Sequence, residues 1–506
     1  MNILKINNIL FRSILLYMTA NFNYFFLVLF FASNSLFSNV WIQPEDEFKI
    51  KKLEYYSVQN GLKLNTTSYP ISINKLNSPS SYRLETLRNI IDYKTLLNNI
   101  FYKNSKNYSL KVSAFTETSP IKNIGDSWHG KNSFTLGKNF STDLFSIKLN
   151  ISIIEDEFDN KKYFFDNSNI SLALGNNAFG FGFIDRWWGP SHHNNVILSN
   201  YSKPSPGFFL SSMESLSFDN FFSFIGDLDY TFTLNRLEKN RHVKNPYLVG
   251  TRISISPLKN LQLSLNRTIT IGGEGRRQDL TSLYKAYFGA FELADNPGAE
   301  GSQSNYDYSN QLAGFDLKYD LLIKDFLITF YAQEIAEDAD HSPTSPFSGY
   351  ISTLGSELKY QVNGLLRSFV LEFTRTIADR HNSPTGRNIV YEHGNYKSGY
   401  RYRGLPIGAF IDTDSKYTQV SFISEIKRNN FIETSFYYAE PNTDADGRSI
   451  WGNSGSPFYG LKTKYKLEIS KNLSAEFNLT IADEKLTFLN SRLDKNILGF
   501  TIEYDF

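Results

Sequence analysis

The chain of 506 residues ends with Leu498-Gly499-Phe500-Thr501-Ile502-Glu503-Tyr504-Asp505-Phe506. In this stretch an apolar side chain occupies every second position, and an aromatic ring occupies the last one. Because successive side chains of a β-strand point to opposite faces, the stretch predicts a strand with one apolar face. What that face packs against decides the fold of the chain.

Four earlier segments show the same period of two. Apolar side chains alternate with polar ones in residues 147–153, 261–265 and 473–481, and in 461–469, where a threonine takes one apolar position. Soluble β-sandwiches and transmembrane β-barrels with a wet lumen both contain such strands. The internal segments therefore leave two architectures open.

The terminal strand favours the barrel. It is similar to the C-terminal signal strand of bacterial outer-membrane barrels, which the barrel-assembly machinery recognises, so we expect Phe506 to engage that machinery. About 400 residues follow Tyr108, and at roughly 22 residues per strand and connection they give about 18 strands. We predict an all-β transmembrane fold, an antiparallel outer-membrane β-barrel of about 18 strands over residues 108–506.

The composition agrees with a barrel and excludes other classes. The absence of cysteine excludes disulfides and thiolate metal sites. A formal net charge of +1 gives no bulk attraction for nucleic acid. An aromatic content of 16% is too high for a disordered chain, and a mean hydropathy of −0.33 is too low for a helical membrane protein.

The N-terminal segment has the layout of a secretory signal peptide. Lys5 and Arg12 precede an apolar stretch from Ile14 to Ala32, and small polar residues follow it. A single transmembrane helix is the alternative, because the apolar run is long. We assign residues 1–38 to a signal peptide.

Residues 39–107 are predicted to form a small periplasmic helical subdomain. A first helix is expected between Pro44 and Gly61, because proline and acids suit a first turn and glycine suits a helix end. A second helix is expected from about Ser81 to Phe101, where the apolar residues follow helical spacing.

Three polar stretches are too long for periplasmic turns: Gly272 to Asn310, Ala378 to Gly408 and Ala439 to Pro457. Long loops lie on the outer side of such barrels. Within the first stretch, residues 280–291 show helical spacing of Leu, Tyr and Phe, which predicts a helix packed over the mouth of the barrel.

The stretch from Asp185 to Gly207 carries the strongest candidate chemistry. Two of the five tryptophans and two of the seven histidines fall within residues 187–193. Sugar C–H faces stack on aromatic rings, and sugar hydroxyls pair with charged and amide groups. The polysaccharide-binding candidates in this stretch are Asp185, Arg186, Trp187, Trp188, His192, His193, Asn194 and Asn195.

A second candidate group is formed by Tyr400, Arg401, Tyr402 and Arg403, in which rings alternate with guanidinium groups suited to acidic sugars. For both groups a structural role in closing the lumen is the alternative. Adjacent strand residues face opposite ways, and Trp and Tyr also form interfacial girdles on barrels.

The two stretches resemble the Wzi-type capsule-assembly family of the bacterial outer membrane. The first shares with the family motif Trp188, Gly189, Pro190, Ile197, Leu198, Ser199, Asn200, Pro204, Pro206 and Gly207. Lys203 stands where the family usually has arginine, and His192-His193 replaces a more usual aromatic and acid. The segment from Tyr391 to Gly408 is similar to a second family motif.

This resemblance implies a large barrel closed by loops outside and helices inside. It also implies a surface lectin that helps to retain capsular polysaccharide on the cell and is not its export pore. The ligand would be capsular or other extracellular polysaccharide.

Other chemistries have weaker sequence support. Adjacent histidines have poor geometry for one tetrahedral metal site, and no third ligand is evident. Residues 442–447 begin like a calcium loop, but Asn453 stands where the bidentate glutamate should be. Ser191, His192 and Asn194 suggest a hydrolase, yet nothing in the sequence fixes their mutual geometry. We predict no cofactor, no metal and no catalysis.

The sequence therefore predicts a monomeric outer-membrane protein, exposed at the cell surface, that binds capsular or extracellular polysaccharide. A passive channel for small solutes or sugars is the alternative. A channel needs an open lumen, whereas a lectin needs a closed lumen and an outward glycan site.

Overall fold

The computed structural model describes most of the chain after the predicted signal peptide. The described residues are 41–77, 80–81, 97, 108–126, 130–142, 144–155, 161–218, 220–288, 309–339, 347–380, 383–386, 388–445, 448–452, 455–489 and 491–506. The predicted signal peptide lies outside them, and so does most of the second predicted helix.

Eighteen long strands of the described residues form one closed antiparallel barrel. They are β1 (Tyr108–Phe115), β2 (Asn132–Ser141), β3 (Phe145–Glu155), β4 (Asn169–Leu174), β5 (Asn177–Phe183), β6 (Pro206–Ser212), β7 (Asp227–Arg236), β8 (Tyr247–Leu258), β9 (Leu261–Ile271), β10 (Asn310–Ile323), β11 (Phe326–Ala339), β12 (Phe347–Val362), β13 (Leu365–Arg380), β14 (Lys416–Lys427), β15 (Asn430–Glu440), β16 (Phe458–Glu468), β17 (Leu473–Ala482) and β18 (Asn496–Asp505). Each pairs with its neighbours in sequence, and β18 pairs with β1 to close the sheet. The predicted fold and strand number are confirmed.

The period of two has a clear physical cause in this barrel. Large apolar side chains such as Leu265, Phe373 and Phe477 are exposed on the outer wall, where lipid would cover them. Polar side chains at the intervening positions, such as Gln419 and Lys464, point inward and are buried. Buried polar groups in the lumen need hydrogen-bond or ion-pair partners within the protein. These partners determine which helices and loops fill the lumen.

The two ends of the barrel differ in their connections. At one end, five connections have two residues each: 175–176, 259–260, 324–325, 363–364 and 428–429. Asn363 and Gly364 both have positive φ, of 52° and 75°, as a two-residue hairpin turn requires. We call this the short-turn end, which faces the periplasm in outer-membrane barrels, and the opposite one the long-loop end.

Short elements complete the described structure. Two-residue strands are Trp41–Ile42, Leu62–Lys63, Ser68–Tyr69, Ile71–Ser72, Ser80–Ser81, Tyr163–Phe164, Trp187–Trp188, Leu216–Ser217, Arg401–Tyr402, Leu405–Pro406, Thr487–Phe488 and Ser491–Arg492, and Ser383–Gly386 has four residues. The helices are α1 (Glu47–Gln59), α2 (Ile73–Asn77) and α3 (Leu280–Tyr287), with 3₁₀ turns at Pro44–Asp46 and Asn220–Ile225. Within the described ranges, none of the helices is both long and apolar enough to cross a membrane.

Helix α1 confirms the first predicted helix, and it lies inside the barrel at the short-turn end. Lys51 and Lys52 form ion pairs of 2.6 Å with Glu357 and Glu425 on the barrel wall. The Tyr55 hydroxyl donates to the carbonyl of Asp325, in a short turn. The helix therefore fills this end of the lumen.

Helix α3 confirms the helical prediction but corrects its position. Its residues Leu283, Ala286 and Tyr287 pack against Ile269 and other outward-facing side chains of β8 and β9. The helix therefore covers the outer wall near the long-loop end and does not lie over the mouth. Phe291, the last residue of that predicted helix, lies outside the described residues.

Candidate functional site

The two motif stretches, residues 185–207 and 391–408, meet inside the long-loop end of the barrel. The Ser199 amide and hydroxyl donate to the carbonyls of Ile407 and Gly408, at 2.8 and 2.6 Å. The Tyr400 hydroxyl donates to the carbonyl of Ile197 at 2.7 Å. The two stretches therefore form one interlocked plug, which we call the loop plug.

The adjacent tryptophans point to opposite sides of the loop plug, and both are buried. Trp187 is 2% exposed, packs against the cluster around α1, and donates from Nε1 to the carbonyl of Ser191. Trp188 is fully buried in a second apolar cluster, at the long-loop end, that includes Ile197 and Tyr400. These rings join the loop plug to α1 and to the barrel wall, so neither presents a face to solvent.

The His192–Asn194 segment is held by one carboxylate of the barrel wall. Glu372, on β13, accepts hydrogen bonds from three successive backbone amides, those of His192, His193 and Asn194, at 2.7, 3.1 and 2.8 Å. The Asn194 side chain accepts from the amide of Phe410, two residues after the second stretch. This segment is a structural anchor.

The pKa values of the two histidines are shifted in opposite directions by their environments. Burial and Lys51 lower the pKa of His192, but Glu357 and Glu47, at 3.5 and 3.4 Å, outweigh them and raise it. Burial lowers the pKa of His193 well below its ordinary value, so this ring is neutral. His192 thus takes part in an ion network, and His193 behaves as a core residue.

Other candidates also hold the loop plug together. The Asn195 side chain is fully buried and accepts from the amides of Ile197 and Leu198. Tyr400 is buried and stacked on Tyr391, with ring centroids 5.6 Å apart. Together with Trp187, Trp188 and the His192–Asn194 segment, these residues form the inside of the plug.

Arg401 lies in a buried ion cluster of the second stretch. Its Nη2 donates to Glu392 at 2.6 Å and to Asp412 at 2.9 Å. Burial lowers the pKa of Arg401, but the two carboxylates outweigh it and raise the pKa. The guanidinium therefore stays charged and ties two parts of the loop together.

A narrow cleft remains between the loop plug and the barrel wall, and we call it the lumen cleft. Its lining includes Asp185, Arg186, Lys203 and Tyr402. Burial lowers the pKa of Arg186 to about 10, so its guanidinium is still cationic at neutral pH. The cleft therefore brings candidates from both stretches together around charged groups.

Arg403 borders the lumen cleft and is partly exposed. Its guanidinium carbon lies 5.5 Å from the Tyr402 ring and 5.4 Å from the Phe164 ring. The Lys203 ammonium lies 4.3 Å from the same Phe164 ring. One phenyl ring thus positions two cations from different loops beside each other, as cation–π attraction favours.

Sequence reasoning missed Phe164, Glu372 and Asp412. No local sequence pattern marks any of these three residues. Phe164 and Glu372 also lie 20 or more positions along the chain from the candidates that they contact. Asp412 follows the second motif closely, and this position was the only signal for it. No spacing rule pairs an acid at this position with Arg401.

A larger polar cavity opens at the short-turn end, with a volume of about 340 Å³. It lies between the start of α1 and strands β1–β3 and β16–β18. Asn167 lines this cavity and hydrogen-bonds at 2.8 Å to Asp185, which lines the lumen cleft. The cavity and the cleft therefore meet at the hydrogen-bonded pair Asn167 and Asp185.

A closed antiparallel barrel of 18 strands, with an apolar outer wall and a lumen occupied by its own helix and loops, defines an integral outer-membrane protein with a plugged lumen. The family model described as Capsule assembly protein Wzi matches residues 102–497. The chain belongs to this family of capsule-assembly proteins.

Two comparisons agree with this membership. The chain is 27% identical over 170 residues to the Uncharacterized 55.8 kDa protein in cps region of Klebsiella pneumoniae. This match covers 33% of the chain and 32% of that relative, so it spans about a third of the relative's length. The structure of Wzi from Escherichia coli, described as a carbohydrate-binding β-barrel involved in group 1 capsule assembly, superposes with a TM-score of 0.75 at 19% identity. It covers 92% of this chain and 100% of the Escherichia coli chain, and it shows the shared fold.

Proposed function

We propose that this protein binds capsular or other extracellular polysaccharide at the cell surface and helps to retain it there. The observation that carries the proposal is the lumen cleft at the long-loop end, where charged groups of the first stretch lie beside Tyr402 of the second. Arg403, also of the second stretch, lies next to Tyr402. In an outer-membrane barrel this end faces outward.

Four of the twelve candidates, Asp185, Arg186, Tyr402 and Arg403, are proposed to contact the glycan, because they line or border the cleft. The other eight are proposed to hold the walls of the cleft in place. They are Trp187, Trp188, His192, His193, Asn194, Asn195, Tyr400 and Arg401.

The charges of the cleft suggest the class of sugar. Arg186, Lys203 and Arg403 are cationic, and Asp185 accepts a hydrogen bond from Asn167. Guanidinium groups pair with carboxylates through two parallel hydrogen bonds. An acidic polysaccharide, bound through its carboxylates near Arg403, fits this arrangement better than a neutral one.

The test is binding of the host's purified surface polysaccharide to the refolded protein, measured by tryptophan fluorescence or calorimetry. Arg403→Gln is expected to weaken binding about tenfold, because one charge-assisted contact is lost. Lys397→Gln is the matched control, since Lys397 is exposed on the same loop outside the cleft. Equal weakening by both variants, or by neither, would contradict the proposed site.

A passive channel is the second candidate function, and the contact between Asn167 and Asp185 favours it. These residues join the polar cavity of the short-turn end to the lumen cleft. Asn167→Ala would be expected to raise conductance in a planar bilayer if this were a solute path. Polysaccharide binding with unchanged low conductance would count against the channel.

A further inference from the structure

A second cleft lies on the outer wall of the barrel, between α3 and the long-loop ends of β7–β9, and we call it the outer cleft. Its apolar lining consists of Leu234, Tyr247, Ile271, Leu280 and Leu283. The neighbouring residues Thr233 and Leu248 line the lumen cleft, so Leu234 and Tyr247 face outward. The outer cleft therefore has no access to the lumen and opens toward the membrane side of the wall.

The lengths of the strands place the outer cleft in depth. Strands β7, β8 and β9 have 10, 12 and 11 residues. About 9–11 tilted residues cross the hydrocarbon core of a bilayer. Since the outer cleft lies at the long-loop ends of these strands, it lies at the interface of the outer leaflet.

The helix extends the apolar surface from this interface toward the hydrocarbon. The Tyr287 hydroxyl is 2.9 Å from the Thr251 hydroxyl, and Arg267 donates to the Tyr287 carbonyl at 2.5 Å, both about four residues deeper along β8 and β9. Tyr284 and Phe288 are 63% and 67% exposed, and their ring centroids lie 4.7 Å apart. An acyl chain leaving the outer cleft would lie along these rings.

Cationic groups lie at the rim of the outer cleft. The Arg236 guanidinium lies 5.4 Å from the Tyr247 ring and faces outward like Tyr247. Arg277, which precedes α3, lines the outer cleft and is exposed. Lys285, within α3, is also exposed. A guanidinium at this level meets the head-group region of the membrane.

The acids described around the rim are engaged by other groups. Asp279 caps α3 by accepting from the amide of Ser282 at 2.9 Å. Glu274 accepts from Asn245 at 2.8 Å, and Glu238 lies 3.5 Å from Arg241. The rim therefore carries the cations Arg236, Arg277 and Lys285 above an apolar cavity, beside acids whose oxygens already have other partners.

We propose that the outer cleft binds a phosphorylated glycolipid of the outer leaflet, with an acyl chain between α3 and the wall and a phosphate near Arg236 and Arg277. The outer leaflet of a Gram-negative outer membrane is built from such lipids, and guanidinium groups pair well with phosphate. Binding of this kind fixes α3 against the wall and joins the capsule-assembly barrel to the lipid that surrounds it.

The test is native mass spectrometry of the refolded full-length protein in detergent, with three separate probes: diphosphoryl lipid A, phosphatidylglycerol and inorganic phosphate. Lipid A is expected to bind at least about tenfold more tightly than phosphatidylglycerol. The double variant Arg236→Gln, Arg277→Gln is expected to weaken lipid A binding by about tenfold or more.

Matched variants keep the test decisive. Lys427→Gln with Arg428→Gln removes two exposed charges at the opposite end and is expected to leave lipid A binding unchanged. Leu280→Asp changes a residue that is 64% exposed, so the variant is expected to fold normally. It is expected to weaken lipid A binding, because it places a carboxylate in the apolar lining of the outer cleft.

Equal affinity for lipid A in the double variant and the natural protein would overturn the proposal. So would equal affinity for phosphatidylglycerol, or full competition by inorganic phosphate. Polysaccharide binding is measured on the same variants and is expected to be unchanged, so failure of this site is distinguishable from failure of the lumen cleft.

Discussion

Arg401 shows at the residue scale how burial changes the role of a charged motif residue. An arginine between two tyrosines suits an acidic sugar when it is exposed, but here both partners of the guanidinium are carboxylates of the same loop. A buried charge needs such partners, because removing it from water without them costs several kcal/mol. The buried backbone amides of His192, His193 and Asn194 also need partners, and the Glu372 carboxylate accepts their hydrogen bonds.

Arg401→Gln is therefore expected to destabilise the long-loop end by about 3 kcal/mol, because it leaves Glu392 and Asp412 buried without their cation. The measurement is the denaturant midpoint of the refolded protein, together with the rate of proteolysis in the loops. Lys416→Gln removes a cation from the exposed pair with Glu440, where about 0–1 kcal/mol is expected. A similar loss in the two variants would show that the Arg401 cluster is not special.

Lys122 gives a prediction about pH. Burial lowers the pKa of its ammonium to about 8, from an ordinary 10.5. Between these values the unfolded chain binds a proton that the folded chain does not, so stability rises with pH in this window. From pH 7.5 to 9.5 the rise contributed by this group is about 2 kcal/mol.

The check compares denaturant midpoints at the two pH values for the natural protein and for Lys122→Met. The variant is expected to lack this part of the rise, because it has no titrating group at the position. If both proteins change equally with pH, Lys122 is not the group responsible.

At the element scale, α1 acts as a plug because its two faces meet different partners. Ile50 and Leu53 pack in an apolar cluster with Trp187, whereas Lys51 and Lys52 pair with acids of the barrel wall. An isolated helix of this length is marginal in water, so its stability comes from these contacts. The position of α1 therefore depends on the barrel wall and on Trp187.

Leu53→Asp is expected to unseat α1, because Leu53 is fully buried and a carboxylate has no partner in that cluster. The barrel should remain folded, and steady conductance should appear in planar bilayers where the natural protein shows little. Gln59→Asp places the same charge at the partly exposed end of α1 and serves as the control. Unchanged conductance in Leu53→Asp would mean that other parts of the chain close the lumen.

At the scale of the whole molecule, closure of the barrel depends on the pairing of the first and last strands. Gly499 on β18 pairs with Phe115 on β1, and a Cβ at Gly499 would lie 1.9 Å from the Phe115 ring. Glycine is required there because a ring of the neighbouring strand covers the backbone. The seam thus depends on one small residue.

Gly499→Val is expected to destabilise the barrel by about 2 kcal/mol through overpacking. The measurement is heat-modifiable migration on a gel, which reports the closed barrel, with the midpoint temperature compared to that of the natural protein. Gly394→Val is the control, because a Cβ at Gly394 meets nothing within 4 Å. A midpoint that does not move in Gly499→Val would show that the seam can adjust at no cost.

The fold could be predicted from the sequence because its signals are local and repeated. Apolar and polar residues alternate along each strand because one face meets lipid and the other the polar lumen. The length of the chain, divided by the usual length of a strand with its connection, predicts the number of strands. The first helix was also predictable, since Pro44 and Gly61 mark its ends within a short segment. The second helix, Ser81 to Phe101, stays a prediction, apart from a helical Leu97 and a strand at Ser80–Ser81.

Only the tertiary structure decided where the twelve candidate residues lie and which groups they contact. Ten of them are buried, and their partners come from distant parts of the chain: Glu372 for the His192–Asn194 segment and Phe164 for Arg403. A polar or aromatic side chain carries the same sequence signal whether it meets a ligand or a neighbouring loop. The difference arises when the barrel closes, because closure brings loops and wall residues together and removes water from the groups between them.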